Sequence, residues 1–96
     1  MLKKAWYYNI PDISGEGNWV GIKTYDWEIL RDHEHAAEKA ANQEDSYSGD
    51  YIIIKNEGID RLLVKNEEGE IKEFKIIAEM VAVYDATEIE GTVVKP

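Results

Sequence analysis

An α+β two-layer domain, with one amphipathic helix on an antiparallel sheet in the order β-β-α-β-β-β, is what three features of this sequence predict. Aromatic and β-branched residues dominate the first quarter and the second half of the chain, and apolar side chains fall at helical spacing only between Asp26 and Asn42. The connections between these stretches carry Gly, Asn, Asp and Pro. With 96 residues, 44% of them apolar, there is material for one core and hence a single domain spanning residues 1–96.

Each element follows in order. Residues 4–10 read as a first strand, which Pro11 ends because it has no N–H to donate. Asp12 to Asn18 is turn chemistry, and Trp19 to Tyr25 reads as the second strand of a long-looped hairpin. The helix is predicted over residues 27–41, with Ile29, His33, Ala36, Ala37, Ala40 and Ala41 on its inner stripe. Residues 42–50 lack apolar periodicity and read as a surface loop. Residues 51–55, 60–65 and 71–85 read as strands, the last two joined through Asn66-Glu67-Glu68-Gly69-Glu70. The final stretch puts Phe74, Ile76, Ala78, Met80, Ala82 and Tyr84 on one face. At seventeen residues to Thr87 it is too long for one straight strand, so a bend or bulge is expected near Ala78-Glu79. Glu88 to Pro96 reads either as a short edge strand through Thr92-Val93-Val94 or as a frayed end.

Several kinds of chemistry are disfavoured. With no Cys there is neither disulfide nor thiolate, and the chain reads as cytoplasmic. The N-terminus lacks the apolar run of a signal peptide, and no segment approaches the roughly 20 apolar residues of a membrane span. Gly15-Glu16-Gly17 is followed by Val20 and a strand, which is no phosphate-binding loop. Glu44 to Gly49 has the oxygen spacing of half an EF-hand, but the twelfth position is Lys55 rather than a carboxylate. His33 and His35, two apart on a helix, point away from each other, so neither a metal nor a cofactor is expected. His33 on the inner stripe reads as a hydrogen-bonded, partly buried histidine. Ser14, Ser46 and Ser48 sit in predicted loops with no nucleophile elbow, so no catalytic residue is assigned and no enzyme is expected.

Charge carries the functional expectation. The net charge is −9, and residues 26–50 hold six of those nine charges: eight acids against Arg31 and Lys39. Such a field repels phosphate backbones and anionic membranes and attracts basic proteins. Three Trp and six Tyr are more than one small core can bury, and exposed aromatics dominate interface hot spots. The expected partner-binding residues are therefore Glu28, Asp32, Glu34, Glu38, Glu44 and Asp45 on an acidic face, with Trp6, Tyr8 and Trp19 as aromatic contacts. In general type, short, acidic, Cys-free and α+β, the chain is similar to small phage-borne inhibitors, including anti-CRISPR proteins and nucleic-acid mimics. That similarity implies an inhibitor docking on a basic nucleic-acid-binding protein. The alternative is an assembly subunit that self-associates through a β edge and aromatics such as Trp6, Tyr8, Trp19 and Tyr84.

Overall fold

The computed structural model describes residues 4–80 and 83–89. Along the chain these form β1 (Trp6–Asn9), α1 (Pro11–Ser14), β2 (Val20–Gly21), α2 (His33–Ser48), α3 (Ile52–Lys55), β3 (Gly58–Asn66), β4 (Ile71–Met80) and β5 (Val83–Glu88). The strands make one antiparallel sheet in the order β2-β1-β3-β4-β5, and α2 lies across one face of it. The architecture is the α+β two-layer arrangement. Tyr8, Leu62, Val64, Phe74, Ile76, Tyr84 and Ala86 meet α2 through Ala36, Ala37, Ala40 and Ala41, none of which has exposed surface. With only methyl groups on that stripe the helix backbone can approach the sheet closely.

The helix differs from expectation at both ends. It begins at His33 rather than residue 27, because Asp32 is its N-cap: with extended backbone, Asp32 accepts the His35 N–H at 2.8 Å. The preceding loop holds on by Leu30, which is buried, while Ile29, expected on the inner stripe, is 61% exposed. At the other end α2 runs through residues 42–48, the stretch that reads as a loop, and stops at left-handed Gly49. Those polar residues stay helical because several of them bond inward, as described below.

Residues 51–55 are not a strand. Ile52–Lys55 form a helical turn whose first N–H groups are satisfied from α2: Asp45 Oδ1 accepts from Ile53 N–H at 2.8 Å, and Oδ2 accepts from Ile54 N–H at 2.9 Å. A buried capping carboxylate thus overrides the β preference of three isoleucines. The second strand is only Val20–Gly21, and Pro11 opens a helical turn rather than a loop. The long stretch from Ile71 is two strands: the register shifts between Ala78 and Met80, and Met80 then faces Val83 across a β4–β5 hairpin. Phe74, Ile76, Ala78 and Tyr84 face the core as expected, whereas Met80 is 61% exposed. Ala82 and residues 92–94 lie outside the described residues. At the start of β3, Gly58 has φ +139°, and a Cβ there would sit 2.1 Å from the Ile76 carbonyl oxygen, so only glycine fits.

Candidate binding face

Of the six carboxylates expected on an acidic face, the structure turns three inward or pairs them. Asp45 is 1% exposed; besides the two α3 amides it accepts the Tyr84 hydroxyl at 2.5 Å. With both oxygens occupied by donors of the chain, it is neither a surface charge nor part of a cation site with Glu44 and Asp50. Glu44 accepts the Tyr8 hydroxyl at 2.9 Å, and that bond, together with burial, raises the Tyr8 phenol well above its ordinary value, burial being the larger cause. Glu28 pairs with Lys39 at 3.1 Å. Asp32 is exposed but engaged as the helix cap, and Glu38 is half-buried with a hydrogen bond from the Ala86 backbone, which leaves Glu34 as the exposed carboxylate of α2 without such a role.

The expected aromatic contacts move inward too. Tyr8 is 4% exposed, inside the core, which removes it from any edge. Trp6 is half-buried on the same side, edge-on to His33 with ring centroids 5.0 Å apart, and His33 Nε2 lies 3.0 Å from the Glu70 carbonyl oxygen. Trp19 is half-buried, with the Lys65 ammonium 4.4 Å from its ring. Tyr84 is buried. Because β1 lies between β2 and β3, its backbone is paired on both sides and is no sheet edge.

The rings left in solvent are others: Trp27 is 78% exposed, Tyr47 68% and Tyr25 64%. Residues 25–28 close a β-turn, with the Glu28 N–H donating to the Tyr25 carbonyl at 2.9 Å. The Glu28 carboxylate accepts the Tyr25 N–H in return at 3.3 Å, and its ion pair with Lys39 pins the turn to α2. Trp27 therefore stands at the tip of a braced turn, stacked on Tyr25 at 5.4 Å with planes 5° apart. Lys39 also lies over the Tyr25 ring at 5.3 Å, and Lys23 over Tyr47 at 4.7 Å. Placing Asp32 as the helix cap is the sequence signal that would have left residues 25–29 outside the helix, free to project.

Two depressions flank this turn and share Lys39 and Asn42 as their common ridge. One, about 320 Å³, is lined by Lys23, Thr24, Tyr25, Gln43, Ser46 and Tyr47. Its floor is fixed, since Gln43 accepts the Lys23 N–H at 2.7 Å and donates to the Gly21 carbonyl at 3.0 Å. The other, about 400 Å³, is lined by Glu28, His35, Glu38, Val83 and Tyr84. Two of its carboxyls are shifted in opposite directions. Partial burial raises Glu38; a backbone hydrogen bond from Ala86 opposes the rise, and the charges of Glu34 and Asp85 add to it. At Glu28 burial acts upward as well, but the Lys39 and Tyr25 hydrogen bonds prevail and hold it below its ordinary value. Among the described residues no three His, Asp or Glu side chains converge in a way that could hold a metal ion. No helix among them is long and apolar enough to cross a membrane. The chain matches no family model, no curated protein and no solved structure.

Proposed function

We propose that this chain is a non-enzymatic, cytoplasmic protein-binding module that docks on a basic protein surface through the Tyr25–Trp27 turn and the adjoining outer face of α2. The observation that carries this reading is Trp27: a large apolar ring, 78% exposed, on a turn braced by a reciprocal hydrogen bond and an ion pair. Rigid, solvent-facing aromatics are the side chains that contribute most per residue to interfaces, because little conformational freedom is lost when they are covered. The charge of −9 supplies the steering. The depression beside the turn supports a non-enzymatic reading, since several of its polar groups already have partners in the chain: Glu28 with Lys39, His35 Nδ1 with the Arg31 N–H, and the Tyr84 hydroxyl with Asp45.

The finer form of the reading is an inhibitor of the phage type that mimics nucleic acid, in which Asp32, Glu34 and Glu38 stand in for phosphates. Such a mimic competes with DNA or RNA for its partner. The test is retention of cellular proteins on the immobilised chain at low and molar salt, beside a Tyr25→Ala/Trp27→Ala variant of unchanged unfolding midpoint. A protein held by the wild type, weakened by salt and lost from the variant supports the module; equal retention by both overturns it. A second reading, self-association, has its own observation: Ile77, Met80 and Val83 are exposed around the β4–β5 hairpin, and β5 is a sheet edge among the described strands. Sedimentation that shows a salt-resistant oligomer would favour it.

A further inference from the structure

We infer that the outward face of Trp27 is an arginine site, taking a guanidinium from a basic segment of the partner; this rests on the binding-module reading and names the chemistry of its central contact. The chain repeatedly places its own cations over its aromatic rings: Lys39 over Tyr25, Lys23 over Tyr47, and Lys65 over both Trp19 and Tyr7. At Tyr25 the arrangement has two parts, because the ammonium over the ring is also 3.1 Å from the Glu28 carboxylate. Trp27 follows exposed Asp26 in the turn, so a carboxylate is adjacent in the chain, and none of the described cations of the chain lies over its ring. One of its faces is against Tyr25 and the other is open to solvent. Indole has the strongest attraction of the three aromatic rings for a cation.

Arginine fits this geometry better than lysine. A planar guanidinium stacks parallel to an indole while its in-plane N–H groups still reach a neighbouring carboxylate, whereas an ammonium is a compact, strongly hydrated point charge. Charge complementarity selects the same occupant: the exposed carboxylates of Asp26 and Glu34 lie on the turn and on the first turn of α2, in a chain of net charge −9.

The test is a titration of the full ¹⁵N-labelled chain with hexa-arginine and, separately, hexalysine. The three tryptophan indole N–H signals are followed, and Trp27 is identified by the signal lost in Trp27→Leu. The expected result is a saturable shift centred on the Trp27 indole and the amides of residues 25–28. Hexalysine binds several-fold more weakly, Trp27→Leu weakens hexa-arginine about tenfold, and Trp27→Phe, which keeps a ring, weakens it less. Equal binding of the two peptides, or shifts spread over the other acidic surfaces and unchanged in Trp27→Leu, overturns the inference. Capture of a cellular partner separates the two levels. If Trp27→Leu abolishes capture while hexa-arginine leaves the Trp27 signal in place, the docking face stands and the arginine site falls. If capture is unaffected, the docking face falls with it.

Discussion

Three consecutive polar residues of α2, Gln43, Glu44 and Asp45, are turned into the protein, while three apolar side chains of the preceding loop, Tyr25, Trp27 and Ile29, stand in solvent. The first group spends its polar atoms on the chain itself: Gln43 holds the segment after β2, Glu44 holds Tyr8, and Asp45 holds α3 and Tyr84. The second group is held by the 25–28 turn and its ion pair with Lys39, and buries little. A residue's type does not decide its duty. Partners do: a buried polar group with every bond made is structural, and an exposed ring on a rigid turn is available to something else.

That contrast breaks most readily at Asp45. Asp45→Ala strips the acceptor from two amides and a hydroxyl in the interior, and at ~1–3 kcal/mol for each donor left unpaired the expected loss is about 3 kcal/mol or more. For a domain with about 5–15 kcal/mol of total stability this is a large fraction, visible in denaturant unfolding and in circular dichroism. An Asp45→Ala protein as stable as the wild type would remove the capping role. Gln43→Ala, which frees one amide and one carbonyl nearer the surface, should cost about 1–2 kcal/mol by the same measurement.

A smaller pair of effects sharpens the comparison within one depression. The Glu28 carboxyl sits below its ordinary value of 4.5, so its contribution is present at neutral pH and is lost as the pH falls from that range through the lower folded-state value. Glu28→Gln should therefore lower the melting temperature at pH 7, with the gap closing in acid. The Glu38 carboxyl is raised, so the fold disfavours its ionised form, and the penalty sets in as the pH rises past 4.5 through the folded-state value. Glu38→Gln should melt higher than the wild type at pH 7 and equal to it in acid. Thermal scans of both variants across that range check the two signs, and parallel behaviour would contradict the assignment.

The sequence discloses the sheet-and-helix plan because its strongest signals are local. The alanine stripe from Ala36 to Ala41 fixes the inner face of α2, and His33 is buried and bonded as its place on that stripe suggested. The errors arise where a distant group decides. Nothing near Ile52-Ile53-Ile54 announces a helical turn, since its cap is Asp45 on another element. The break between β4 and β5 was legible only as a bend or bulge near Ala78-Glu79, where the register does shift, because the apolar alternation runs on from Ala78 to Tyr84 with no Gly, Pro, Asn or Asp between. The acidic face was overcounted for a related reason: composition records carboxylates but not what donates to them. The exposed aromatics were legible only as a surplus, and which of the nine Trp and Tyr rings stayed outside depended on where Asp32 starts the helix.

The central claim is that the polar residues of α2 hold the fold together while the exposed loop aromatics contribute little to it, which leaves them available for the proposed contact. Urea unfolding of Trp27→Ala tests it most directly, with Asp45→Ala run beside it as the scale. The account predicts that Trp27→Ala unfolds within about 0.5 kcal/mol of the wild type, as surface substitutions do, while Asp45→Ala is displaced by several times that. A Trp27→Ala protein destabilised as much as Asp45→Ala would place the indole among the fold's own supports and contradict the claim.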